Sequence, residues 1–416
     1  MRAKVRAVAE AVLIVFLLVY LGMLLGRLPR LQLDRTGVAL LGAIAVIAMG
    51  AVTLEESARA VDLSTITLLF SFMVISAQLR LGGFYTRAAE AVTALELSPP
   101  ALLFALTMLT GALSAVFMND IVCLAIPPVL IHACRGRKLD PVPFLLAVAC
   151  ASNAGSAATL IGNPQNILIG QSLGLSFSDY LLTAGPPAFA GLLITWAVIA
   201  FRYRGRWANG GPGPEPGDGD LPSWSSWQSA KALLITGVLF VFFLFTGLPR
   251  DIVSLGAAGL LLLSRKMHSR STLGLVDWQL LVLFIGLFVV NHAFAATGIP
   301  QDVVSGLLER GVDLSHPAWL FGTAALLSNA VSNVPATMLL LPVAHHPLAG
   351  PVLALSSTLA GNLLIVGSIA NIIVVESAAR HGIRIGWRTH APVGVAVTLL
   401  TLGVAAGFLW LRSPGL

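Results

Sequence analysis

Long apolar runs separated by short polar gaps govern this chain. Runs near 8–26, 37–54, 63–82, 101–118 with 121–134, 142–170 and 180–201 come first. Runs near 231–247, 252–264, 278–298, 317–331 with 334–344, 352–375 and 392–411 follow. A membrane helix needs about 20 predominantly apolar residues, and these runs are continuous rather than alternating, which excludes an outer-membrane barrel. Two pairs of runs break the rule. Residues 101–134 are interrupted by Asn119-Asp120, and 317–344 by Ser332-Asn333 and Pro335. Each arm is short for a span, and Pro335 cannot continue a helix ladder, so the pattern predicts two re-entrant helical hairpins with the polar residues at their tips. Runs 142–170 and 352–375 carry Gly, Ser, Asn and Pro in their middles, which predicts broken helices. Non-helical backbone at that depth must be buried in protein or line a wet cavity.

The two groups of runs match. Asp62 and Gly83 bracket one span and Asp277 and Gly298 another at the same separation; Ser114, Asn119 and Pro128 are spaced like Ser328, Asn333 and Pro342. Gly162 and Asn166 match Gly367 and Asn371, and pairing Asn153 with Asn362 then needs one gap. The reading is an internal duplication of five spans and one hairpin per half. An odd span count inverts the second half, so the expected fold is an all-α polytopic membrane protein of two inverted repeats. The first repeat is residues 1–201 and the second 231–416. A Gly/Pro-rich polar stretch at 202–230, centred on 210–220, reads as a disordered cytoplasmic linker.

Composition strengthens the membrane reading. Hydrophobic residues make up 56% and charged residues 11%, against about 25% charged in ordinary soluble domains; mean hydropathy is +0.87. The basic balance is a topology signal rather than a nucleic-acid footprint. With the 27–36 loop inside, 18 of the 25 Lys and Arg fall inside and both termini outside, although Arg2, Lys4 and Arg6 dissent. No cleavable leader is read at the first run. Cys123, Cys134 and Cys150 form no CxxC pair, so neither a zinc site nor a disulfide framework is expected.

The chemistry sits in the interruptions. Free N–H groups at one half-helix attract anions and free C=O groups at the other attract cations. Any single Gly or Ser here serves close helix packing. The polar residues paired between halves point instead to one central site. Its candidate substrate or ion-binding residues are Asn119, Asp120, Asn153, Gly155, Asn163, Asn166, Ser332, Asn333, Gly361, Asn362, Gly367, Ser368 and Asn371. Asp120 has three readings: a sodium ligand, the carrier of a coupling proton, or the N-cap of the hairpin's second helix. His292 reads as a packing histidine or one facing the cavity. The other histidines, His390 among them, read as lying near loops. No metal motif, acidic pair or P-loop is present, so neither an enzyme nor a self-sufficient primary pump is expected. The only cofactor expected is a coupling ion, Na⁺ or H⁺.

With these residues in view, the chain resembles the ion transporter superfamily over about residues 9–411. The stretch Phe117–Val122 with Pro128 is similar to the AsnAsp hairpin tip of the arsenite permeases. IleGlyAsnProGlnAsn (161–166), 361–371 and 277–298 are similar to signatures of the arsenite-permease and citrate–metal permease branch. Divalent anion:sodium symporters carry SerAsnThr at the tips, and both tips here depart from it. The resemblance implies a homodimer, a moving transport part and an elevator mechanism. It also implies a small inorganic or organic anion as partner; with no Lys or Arg at the four central elements, a neutral or singly charged oxyanion such as arsenite or antimonite, expelled against proton entry, comes foremost. Sodium- or proton-coupled anion symport and sodium/proton exchange stand as alternatives, and room is left for a partner ATPase.

Overall fold

The computed structural model describes residues 2–26, 32–208 and 224–412, and the side chains from Arg6 onward. The linker's centre at 210–220, Arg27, Arg30 and the terminal Leu416 lie outside the described residues. The first half contains α1 (Arg2–Leu25), α2 (Arg35–Ala48), α3 (Leu54–Ala60), α4 (Leu63–Leu81), α5 (Phe84–Thr93), α6 (Pro99–Val116), α7 (Asn119–Gly136), α8 (Pro141–Ser156), α9 (Pro164–Ser172) and α10 (Phe177–Arg202). The second contains α11 (Ser226–Phe245), α12 (Arg250–Leu262), α13 (Ser269–Leu273), α14 (Trp278–Ala295), α15 (Ile299–Glu309), α16 (Pro317–Val331), α17 (Asn333–Leu340), α18 (Ala349–Ala360), α19 (Ile369–Arg380) and α20 (Trp387–Arg412). Helix for helix, the second set repeats the first.

Local chemistry repeats too. Asp62 caps α4 by accepting from Thr65 N, and Asp277 caps α14 by accepting from Leu280 N. Each of those helices hands over through a left-handed glycine, Gly83 (φ 73°) or Gly298 (φ 78°), to a short helix that cannot span. A side chain is disfavoured at that φ, so the turn is built into both copies.

Seven helices among the described residues are long and apolar enough to cross a membrane: α1, α4, α6, α10, α11, α14 and α20. In α6 that length is spent on re-entry. Only Phe117 and Met118 separate α6 from α7, and Asn119 N donates to Gly162 O at 3.1 Å. The hairpin tip is thereby tied to the break between α8 and α9 instead of reaching a far surface. Counting α1, α2, α4, the α8–α9 pair and α10 gives five crossings, and the mirror set gives five more. The halves are inverted repeats, as expected.

The packing is shared between halves. Helix α2 of the first half lies on α14 of the second, and α12 of the second lies on α4 of the first. Helices α6 and α8 pair, as do α16 and α18, while α10 meets α20 between the two halves. Small residues make this possible. A Cβ on Gly155 of α8 would run into the backbone of Gly111 of α6, and one on Gly286 of α14 into Ala39 of α2. Ion pairs are peripheral among the described residues: Arg6–Glu10, Arg59–Glu55 and Arg87–Glu90, all well exposed. Such pairs contribute little. Burial of apolar area and a polar network at the centre carry the fold.

Candidate functional site

Both hairpin tips and both helix breaks meet at one cavity. Asn119 and Asp120 come from the first tip, Ser332, Asn333 and Val334 from the second, Pro164 and Gln165 from the first break, Ser368 and Ile369 from the second. It offers about 20 Å³ of room for solvent, enough for a single water-sized body. Among the described residues, no Lys, Arg or His lines it. Asn119 is 5% exposed, and its Oδ1 is buried without a hydrogen-bond partner. Asp120 is half-buried and takes no part in any ion pair among the described residues.

The N-cap reading of Asp120 is corrected. Met118 holds the N-cap position of α7, there is no side-chain cap, and Asp120 falls in the first turn. Its carboxylate therefore lies at the positive end of the α7 dipole but closes no capping bond. At the second tip Ser332 serves both helices at once, with φ 77° and ψ 161°. Non-glycine residues rarely hold that backbone, and where they do the surroundings must enforce it. Behind it, Ser328 Oγ contacts the Asn333 amide and donates to Ser357 O at 2.7 Å. With the Asn333 nitrogen facing Ser357 O and Gly367 O at 3.3 and 3.2 Å, its oxygen accepts from Gln165 Nε2 at 3.1 Å. One tip is thus joined to the other half's break.

The breaks themselves are built alike. Asn166 Nδ2 donates to Ser156 O and Thr159 O, ten and seven residues back. Asn371 Nδ2 donates to Gly361 O and Leu364 O, again ten and seven back. These asparagines hold the unwound backbone rather than lining the cavity. The matching offsets correct the sequence register. No gap is needed: Ser156 corresponds to Gly361, so Asn153 corresponds to Thr358 and Asn163 to Ser368. Asn153 and Asn362 are bonded to one another, Nδ2 to Oδ1 at 2.8 Å, a contact that alignment misread as equivalence. Cross-bonds then follow the pseudo-symmetry. Ser368 Oγ donates to Asn153 Oδ1 at 2.9 Å, and Asn163 Nδ2 to Thr358 Oγ1 at 3.3 Å. Asn163 also caps α9 by accepting from Asn166 N.

The remaining candidates divide by role. Gly155 serves packing. Gly361 lies beside Ser368 and Asn333, and Gly367 against the Asn329 side chain. Two histidine expectations change. His292 is exposed near the end of α14. His390 is 1% exposed and its Nε2 lies 2.9 Å from Asn362 O. Gln165 was missed because its counterpart is Ala370, so matching the halves could not flag it. Its one sequence signal was position, an amide in the first turn after the Asn-Pro break.

Residues 12–352 of the chain match the citrate transporter family. The chain belongs to that family. This member of the citrate transporter family is 28% identical over 409 residues to the 46 kDa membrane protein of Mycobacterium leprae, covering 92% of this chain and 94% of that one. It is 26% identical over 449 residues to the silicon efflux transporter LSI3 of Oryza sativa subsp. japonica (90% and 92% covered). It is 30% identical over 341 residues to the inner membrane protein YbiR of Escherichia coli strain K12 (80% and 83%). The fold is similar to that of the Alcanivorax borkumensis YdaH transporter, with a TM-score of 0.61 at 12% identity over 99% of both chains. The resemblance to the ion transporter superfamily holds. The protein is a multi-pass membrane transporter and not an enzyme.

Proposed function

We propose that this transporter is a secondary active carrier of a small oxyanion or its neutral acid, and specifically that it expels arsenite or antimonite in exchange for entering protons. The lack of any cationic side chain among the lining residues is the observation that carries this reading. Amides and hydroxyls from Asn119, Gln165, Ser332, Asn333 and Ser368 surround one carboxylate, Asp120, with no cation among the lining residues. An undissociated hydroxy acid brings several O–H donors and oxygen acceptors and no charge to neutralise. Once the cavity widens beyond the water-sized room it has in this state, those hydroxyls suit the unpartnered Asn119 Oδ1 and the Asp120 carboxylate. A free polycarboxylate would meet a like charge with no compensating side chain. The similarity to a silicon efflux transporter supports this reading. The family's name favours a second reading, a carboxylate or other anion carried with sodium or protons. In that case bound cations supply the missing charge.

Coupling in this proposal runs through Asp120, which exchanges a proton with whichever side the cavity faces. The hairpins and broken helices form the moving part, sliding as an elevator against α1, α2 and α4 and their counterparts α11, α12 and α14, in a homodimer. Purified protein in proteoliposomes tests the scheme. An imposed pH gradient should drive arsenite flux with no sodium effect. Sodium-dependent flux of carboxylates or sulfate, with arsenite inert, would transfer the protein to the second reading.

The membrane in this proposal is the inner membrane, with both termini outside, as the Lys and Arg distribution favours. A reporter active only in the cytoplasm, fused after Leu416, is expected to be silent; activity would reverse the topology.

A further inference from the structure

One pseudo-symmetric pair of contacts lies outside the cavity. Tyr180 is the fourth residue of α10 and His390 the fourth of α20. Tyr180 OH donates to Ala157 O at 2.8 Å, and His390 Nε2 lies 2.9 Å from Asn362 O. Ala157 follows Ser156 and Asn362 follows Gly361. Those two residues are equivalent by the offsets of Asn166 and Asn371, so both rings grip the same carbonyl of the two helix breaks. The register relating α10 to α20 differs from that relating the breaks, which hides the correspondence in sequence. Tyr180 is 2% exposed.

Space has been cleared for the imidazole. A Cβ on Gly394, one turn further along α20, would meet His390 Nε2 at 2.6 Å and also strike Asn362 O. The carbonyl can only accept, so Nε2 carries the proton and the neutral ring is the Nε2–H tautomer. From Asn362 the bonds lead inward. Its Oδ1 accepts from Asn153, whose Oδ1 accepts from Ser368, a cavity residue.

We infer that His390 is a positioning residue. By donating from Nε2 to the Asn362 carbonyl it holds the second helix break, and with it Ser368, against the cavity, as Tyr180 holds the first break. The assignment concerns the break and not the solute, so it stands or falls apart from the arsenite proposal.

Hydrogen exchange followed by mass spectrometry on the purified full-length protein tests it without any substrate. In His390→Phe, amides of 361–368 should exchange about tenfold faster, while 156–163 remain as in wild type. Tyr180→Phe should show the reverse. His390→Gln, which restores an N–H donor at similar reach, should recover most of the protection at 361–368. Unchanged exchange in His390→Phe would overturn the assignment. So would His390→Gln exchanging as fast as His390→Phe, since bulk rather than donation would then be at work. If His390→Phe does not fold, His390→Met set against His390→Gln takes its place, two side chains of similar length that differ in the N–H donor: faster exchange at 361–368 in His390→Met alone supports the assignment, and equal exchange in the two overturns it.

Discussion

Asp120→Asn is expected to reduce gradient-driven transport to below about a tenth of wild type while the protein still reaches the membrane, because an ionisable group inside a bundle is retained there for function rather than packing. The structure makes the substitution a clean one. Among the described residues Asp120 closes no cap and pairs with no cation, so an amide of the same shape in its place breaks none of the ion pairs or caps seen there. What disappears is the capacity to take up and release a proton beside the solute. Exchange of solute down its own gradient should survive, separating coupling from binding. Flux assays in proteoliposomes with and without a pH gradient make the comparison. Full coupled flux in Asp120→Asn would remove this residue from the mechanism.

Asn119→Ala and Asn333→Ala should each raise the transport KM by about three- to tenfold, the worth of one or two hydrogen bonds to a solute. The two losses should differ in kind. Asn119 Oδ1 has no partner among the described residues, so Asn119→Ala should leave stability nearly untouched. Asn333 engages Ser328, Ser357, Gly367 and Gln165, so Asn333→Ala also strands partners in a buried site, and its melting temperature should fall as well. An affinity loss confined to one of the two would reject a site shared between the halves.

Much of this architecture could be read from residue order. The Asn119-Asp120 and Ser332-Asn333 interruptions stood out because each cut an apolar run into arms too short to span, and the tips do lie together at the cavity. Asn166 and Asn371 stood out for their fixed distance from a glycine. Function within the polar set was harder to read, because an amide that braces unwound backbone and one that faces a solute are indistinguishable in sequence. Gln165 and the Asn153–Asn362 contact show the limit from two sides. Gln165 lacks a polar counterpart, Ala370 standing at the equivalent position, so comparison of the halves does not reveal it. Asn153 and Asn362 mimic a pair of counterparts and are instead bonded across the pseudo-axis. In sequence, Arg35 and Arg250 register only as topology charges. They open α2 and α12, and they reach backbone carbonyls of the broken-helix elements: Val366 O at 3.5 Å from Arg35, and Gly170 and Leu175 O at 3.2 and 2.8 Å from Arg250. Such contacts are made across the fold and leave no periodic trace.

The exchange of α2 and α12 between halves bears on how the chain is made. Helix α4 finds its covering partner in α12, which is synthesised only after the whole first repeat, and α2 waits longer still for α14. A ribosome that has finished the first repeat has therefore delivered helices to the bilayer whose protein-facing sides are wrapped in lipid or held by the insertion machinery. Assembly completes only as the second repeat threads its helices between them. Either half expressed alone should be an orphan prone to degradation. The two halves supplied as separate chains should restore one another, because each carries the helix the other lacks.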